Sequence, residues 1–166
     1  AGAIGIEFAS FYSDFGTEVT VIEVQNHILP NEDIDISVFV RDKLEQEGIK
    51  ILTNTKIKTI TSLKDKIDAE FIMQDGTVHK EKYSKSIVSI GIEANINTIG
   101  LETVDVKQEN GRIITNHFGE TSEKGIFAIG DITGAPWLAH KASHEGINAV
   151  NYIFNPKEVT NHKKII

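Results

Sequence analysis

Two glycines and one acid near the start of the chain have the types and spacing of an anion-binding turn. Gly2 and Gly5 open a stretch in which Ile4, Phe8, Phe11, Tyr12 and Phe15 recur at helical spacing. At Gly2 a bare backbone lets a ligand come close where a Cβ would collide, and at Gly5 it lets the helix lie near a sheet. The free N–H groups of the first helical turn, with the positive end of its dipole, attract phosphate. Glu23 follows Gly2 by 21 residues and ends the β-branched run Val19-Thr20-Val21-Ile22. A carboxylate at such a strand end accepts hydrogen bonds from a ribose 2′-hydroxyl. The set reads as Gly-x-Gly-x-x-Gly with its first glycine and preceding strand cut away, and the ligand it suits is a dinucleotide. An acid at Glu23 favours NAD over NADP, because it repels a 2′-phosphate and no arginine stands beside it. The plainer alternative is an ordinary helix entry and a solvated strand end; the spacing to Glu23 and the small residues Ala9 and Gly16 weigh against it.

A second candidate lies at Gly130-Asp131, after the apolar run Gly125-Ile126-Phe127-Ala128-Ile129. In open α/β sheets ligands sit beyond the carboxyl ends of strands, and an acid there can hold a hydroxyl or a ribityl chain. An Asp serving its own turn is the plain alternative. Leu138-Ala139-His140 opens the next helix, whose N–H groups could also face a ligand. Trp137 could stack on one, although a lone aromatic after Pro136 is more often packing. His140 and His144 fall one turn apart without the cluster that a metal site needs. His27, His79, His117 and His162 read as surface. Glu7, between Ile6 and Phe8, is expected to be a partly buried carboxylate in need of a partner, either the helix dipole or a nicotinamide amide.

The elements that must position these groups follow from periodicity. The spacing predicts a helix from Ile4 to about Phe15, a buried strand over Val19–Val24, and a second helix after the acids Glu32, Asp33 and Asp35. That second helix carries its apolar face on Ile36, Val38 or Phe39, and Leu44, and stops at Gly48; a short strand over Ile49–Leu52 follows. Ile57–Thr61, Asp68–Met73 and Thr77–Tyr83 are too closely joined for βαβ crossovers and read as an antiparallel meander. Ser86–Ile90 and Gly125–Asp131 read as buried strands, Arg112–Thr115 as a short one, and Leu138–Phe154 as the last helix. The fold class expected is α/β: a doubly wound, Rossmann-like domain with its first strand missing and a three-stranded meander inserted.

Composition bounds the function. The 166 residues are 40% hydrophobic and 25% charged, typical of a globular domain. A net charge of -7 argues against nucleic acid or an anionic membrane as partner, and no apolar run reaches the length of a membrane span. With no cysteine, this chain carries no disulfide or thiol redox chemistry of its own.

Taken together the motifs resemble the two-dinucleotide-binding flavoprotein disulfide reductases, the pyridine nucleotide-disulfide oxidoreductases, and within them the dihydrolipoamide dehydrogenase branch. The resemblance runs through Gly2 to Ser10, Leu29-Pro30 with Glu32-Asp33-Ile34-Asp35, Asn54-Thr55-Lys56-Ile57, and Ser89-Ile90-Gly91. It continues through Gly100-Leu101-Glu102, Ile126 to Asp131, and Leu138-Ala139-His140-Lys141-Ala142 with Glu145-Gly146. It implies that Ala1, Gly2, Ala3, Ile4, Gly5, Ile6 and Glu7 cradle the NAD pyrophosphate, with Glu7 near the nicotinamide and Glu23 on the adenosine ribose. Ile57 and Gly91 line the adenine and nicotinamide sides. Asp131 binds the ribityl or phosphate region of FAD, and Trp137, Leu138, Ala139 and His140 border the flavin.

The family's reaction passes electrons from dihydrolipoamide to a cysteine pair, then to FAD, then to NAD. The expected organisation is an NAD-binding domain over 1–95, a return segment of an FAD-binding domain over 96–156, and a linker over 157–166 toward a dimerisation domain. The chain lacks an initiator Met and begins inside a motif, so it reads as an internal piece, inactive alone. The cysteine pair and the acid/base dyad are expected to lie elsewhere. The parent implied is a cytoplasmic or mitochondrial-matrix homodimer that meets the dihydrolipoamide-bearing subunit of 2-oxo acid dehydrogenase complexes. A departure from many relatives is Ile92-Glu93-Ala94 after Gly91, where they carry Arg and Pro; this weakens assignment to the NADPH-using glutathione reductase branch. Alternatives are a mercuric-type reductase, a soluble transhydrogenase, or a nucleotide-binding module without a redox role.

Overall fold

Two helix stops of the same kind bracket the first layer of the chain. Helix α1 (Ala3–Asp14) starts from an extended Gly2. It ends where Gly16 takes a left-handed φ of +80°, its N–H bonding Ser13 O at 2.8 Å while the Thr17 N–H bonds Tyr12 O at 3.1 Å. Helix α2 (Ile34–Gln46) ends likewise at Gly48, φ +93°. In both, glycine supplies the conformation that satisfies the last carbonyls of the helix. The computed structural model describes residues 1–156; the linker expected over 157–166 lies outside the described residues.

Strands β1 (Thr20–Ile22) and β2 (Lys50–Leu52) pair in parallel, with Val21 opposite Ile51, and α2 supplies the crossover between them. Their core is Ile6, Ala9, Ile28, Leu44, Ile49 and Ile51, with Val19, Val21, Leu29 and Val40 packed against it. This corrects the helix faces expected from spacing. On α1 the buried residues are Ile6 and Ala9, whereas Ile4, Phe8, Phe11, Tyr12 and Phe15 are exposed. On α2 Ser37 and Leu44 are buried, and Ile36, Val38 and Phe39 are exposed. The physical reason is that α1 is apolar nearly all round, so periodicity could not tell which side meets the sheet. In α2 a polar residue is drawn inside, because the Ser37 hydroxyl donates to Ile28 O at 2.5 Å.

Strands β3 (Lys56–Ser62), β4 (Ile67–Ile72) and β5 (Val78–Tyr83) form a three-stranded antiparallel sheet in that order. Ala69 and Phe71 of β4 are its buried residues. The β4–β5 turn is held by Asp75, whose Oδ1 accepts both the N–H and the hydroxyl of Thr77 at 2.9 and 2.6 Å. The buried strand expected over Ser86–Ile90 is not formed. The segment pairs with no strand among the described residues, and Ile87, Val88 and Ile90 are exposed. A short apolar run becomes a strand only where a neighbour accepts its ladder.

The chain divides into two compact units after Gly91. In the second, Ile96, Val106, Ile113 and Ala128 form the core. A two-residue hairpin joins β6 (Gln108–Glu109) to β7 (Arg112–Ile113), and its turn residues Asn110 and Gly111 are both left-handed, as a primed turn requires. The strand expected over Arg112–Thr115 is thus shortened. The strand expected over Gly125–Asp131 reduces to a single antiparallel bridge between Phe127 and Glu120, followed by a 3₁₀ turn at Gly130–Thr133. Helix α3 (Ala139–Phe154) packs on that turn, and Tyr152 stacks on Phe118 with ring centroids 4.4 Å apart. The described residues form a mixed α/β chain with three small sheets.

Candidate functional site

The first unit gathers the glycine turn, the acid and one loop at the carboxyl end of β1. The backbone of β1 continues into Glu23, whose N–H bonds Leu52 O at 2.8 Å, so the acid is fixed by the parallel pair. Glu23 is 8% exposed. Its Oε1 accepts the Gln25 N–H at 2.8 Å. Burial pushes this carboxyl up, and the backbone hydrogen bond from the Gln25 N–H pulls it down. Its carboxyl is thus an oriented hydrogen-bond acceptor at the strand end.

The loop after Glu23 folds back on the turn. Leu29, in a left-handed conformation, donates its N–H to Ala1 O at 2.8 Å. His27 Nδ1 lies 2.9 Å from Ile28 O and 3.3 Å from Ser37 Oγ, which ties the loop to α2. The result is a cleft of about 50 Å³ lined by Gly2, Ala3, Leu29, Pro30, Asn31 and Glu32. A Cβ at Gly2 would point into open space, with nothing within 4 Å, so a ligand can reach the backbone there. A Cβ at Gly5 would meet Ser89 at 3.8 Å, ordinary contact. Ala3 and Ile4 are exposed, Ile6 is core, and the Glu32 carboxylate places negative charge on the rim.

Glu7 is exposed, which corrects the partly buried carboxylate expected from its apolar neighbours. Those neighbours do not shield it: Phe8 is exposed too, and Ile6 points into the core. Ile57 and Gly91 are also at the surface of this unit.

In the second unit Asp131 is exposed on the 3₁₀ turn, and Trp137, Leu138, Ala139 and His140 are exposed at the entry to α3. The turn is built on glycine. Gly130 has φ +77°, and a Cβ there would stand 3.1 Å from Ala142 Cβ. At Gly134, φ +103°, a Cβ would meet the Arg112 side chain at 3.0 Å. Two residues not singled out from the sequence as site residues hold this turn. Glu145 accepts the Gly130 N–H at 2.7 Å, and Lys141 reaches Gly130 O, Thr133 Oγ1 and Gly134 O at 3.2–3.3 Å. Their four-residue spacing on a helix was the available signal. Among the described residues no group of acids and histidines could hold a metal ion.

A parallel strand pair ending in an acid and a glycine turn open to a ligand are features that α/β nucleotide sites use. The pyridine nucleotide-disulphide oxidoreductase family profile matches residues 1–146, and the chain belongs to that family. Among curated relatives, it is 46% identical over 153 residues to a dihydrolipoyl dehydrogenase of Zymomonas mobilis, covering 92% of this chain and 33% of the relative. It is also 46% identical over 153 residues to one of Bacillus subtilis, covering 91% of this chain and 32% of the relative. The structure of LpdA from Mycobacterium tuberculosis superposes with a TM-score of 0.79 at 28% identity, covering 93% of this chain and 33% of that one. The HOCl-induced flavoprotein disulfide reductase RclA from Escherichia coli gives a TM-score of 0.87 at 22% identity, covering 99% and 37%; at that identity the likeness is one of fold. The chain spans about a third of the length of the curated relatives it matches.

Proposed function

We propose that the chain is the NAD-binding portion, with part of the FAD site, of a dihydrolipoamide dehydrogenase. The observation that carries this is Glu23 at the end of β1, its Oε1 oriented by the Gln25 N–H, beside the glycine turn whose backbone is open at Gly2. Residues 1–95 form the NAD-binding domain, of Rossmann type with the antiparallel sheet β3–β5 as its insertion. Residues 96–156 form the return segment of the FAD-binding domain, and 157–166 the linker to a dimerisation domain. Ala1 to Glu7 hold the pyrophosphate, with Glu7 toward the nicotinamide; Glu23 accepts from the adenosine ribose, and Ile57 and Gly91 border the rings. Asp131 accepts from the ribityl or phosphate region of FAD, beside Trp137 to His140.

The bound flavin and nicotinamide supply two-electron transfer, while these residues bind and orient them. The chain has no cysteine, so the thiol pair of the reaction lies outside it. The proposed parent is a homodimer, cytoplasmic or in the mitochondrial matrix, serving the dihydrolipoamide-bearing subunit of a 2-oxo acid dehydrogenase complex. No helix among the described residues is long and apolar enough to cross a membrane. The test is NAD and FAD titration of the full-length protein with Glu23→Ala and Asp131→Ala. The first substitution is expected to weaken NAD alone and the second FAD alone; loss of neither sinks the reading.

A further inference from the structure

We propose that Lys141 and Glu145 are positioning residues for the flavin nucleotide, clamping the Gly130–Gly134 turn so that the Asp131 carboxylate stays free to accept from a ligand. The inference rests on the reading of Asp131 as an FAD contact. The Glu145 carboxylate is divided between two donors: Oε2 takes the Gly130 N–H at 2.7 Å and Oε1 takes Lys141 Nζ at 3.0 Å. The ammonium of Lys141, on a side chain 16% exposed, also reaches Gly130 O at 3.3 Å, Thr133 Oγ1 at 3.3 Å and Gly134 O at 3.2 Å. Thr133 closes the turn from within by donating to Gly130 O at 2.8 Å. Both ends of the turn are thus gripped by one ion pair on one face of α3.

The arrangement does more than stiffen a loop. Asp131 is exposed, and its carboxylate takes no hydrogen bond among the described residues. Here the charge of Lys141 is turned inward, toward three oxygens of the turn and one of Glu145. The left-handed Gly130, with Ala142 against it, then fixes the direction in which the next residue, Asp131, leaves the turn.

The test uses the full-length protein with Lys141→Met, Asp131→Ala, the double variant and Glu145→Gln. FAD affinity and the visible flavin absorbance are read together with NAD affinity, which reports on the first unit. Lys141→Met is expected to raise the FAD Kd about tenfold, the scale of losing a hydrogen bond to a charged group, with NAD affinity unchanged and an altered flavin band shape. In the Asp131→Ala background the same substitution is expected to add less than about twofold, because the clamp acts through that carboxylate. Full multiplication of the two effects, or an FAD Kd unchanged by Lys141→Met while Asp131→Ala weakens it, overturns the inference. If Lys141→Met loses NAD binding as well and so fails to fold, Glu145→Gln decides. It keeps the acceptor for Gly130 but lowers the charge holding Lys141, and an unchanged FAD Kd and band shape overturn the clamp. An FAD Kd unchanged by Asp131→Ala overturns the underlying reading instead, and the clamp with it.

Discussion

Glu23 Oε1 and the Gln25 N–H stand 2.8 Å apart, so the acid that ends β1 is oriented by the backbone two residues beyond it. A carboxylate so oriented can accept from a ribose hydroxyl and repel a 2′-phosphate. Glu23→Arg in the full-length protein is expected to weaken NAD by about tenfold or more and to strengthen NADP. Fluorescence titration with both nucleotides checks it, and an unchanged ratio removes Glu23 from the site.

Ser37 offers a test of the loop that lines the cleft. It is 1% exposed and its hydroxyl donates to Ile28 O. Ser37→Ala removes one of the two groups beside that carbonyl, leaving His27 Nδ1 at 2.9 Å, and is expected to cost about 0.5–1.5 kcal/mol. Urea unfolding should show a lower midpoint with an unchanged slope.

The two glycine turns should respond oppositely to alanine. Gly5 is helical, and a Cβ there meets Ser89 only at 3.8 Å, so Gly5→Ala is expected to stabilise by up to about 1 kcal/mol through helix propensity. Gly130→Ala combines a φ of +77° with a 3.1 Å approach to Ala142 and is expected to destabilise by about 1–3 kcal/mol. Thermal melts of the two variants decide.

A cross-strand cluster sets a pH dependence. Glu70 of β4 is paired with Lys80 of β5 and lies 3.3 Å from Lys58 of β3. The bonds from Lys80 and then Lys58 hold Glu70 below its ordinary value of 4.5, and the bond to Glu70 raises Lys80 above 10.5. The glutamate's contribution is whole above pH 4.5 and lost as pH falls through its depressed folded value; the lysine's is whole below 10.5 and lost as pH rises through its raised one. Glu70→Gln should therefore lower the urea midpoint at pH 7 and lose that effect in acid.

Tyr83 should titrate late. Burial and then its hydrogen bond to Glu81, 2.6 Å long, push the phenol up to about 12. Its raised value contributes stability that is whole below the ordinary value of 10.0 and lost as pH rises toward 12. Difference absorbance of the protein and of Tyr83→Phe should assign the last ionising tyrosine to this residue.

Much of this architecture was readable from residue spacing, and the misses share a cause. Helices α1, α2 and α3 and strands β1 to β5 fall within a few residues of their expected ranges, because caps and turns such as Gly16, Gly48 and Asp75-Gly76 are local. What failed depends on neighbours. Periodicity marks Phe8, Phe11 and Phe15 as one face but cannot say whether that face or Ile6 and Ala9 meets the sheet. Ser86–Ile90 has the composition of a strand and no strand beside it. At the second turn the Gly130-Asp131 pair is legible from its glycine, whereas the bonds of Lys141 and Glu145 to that turn depend on how α3 docks against it.

The parallel pair β1–β2 is only three residues long, against six or seven in each strand of the antiparallel sheet. Its ladder is short, and Glu23 continues directly from its end. Occupancy by a nucleotide would consequently be felt first as slowed deuterium uptake at Val21, Ile51 and Leu52, with β4 hardly affected. On the proposed reading, nucleotide affinity at this end would include the work of ordering two short strands.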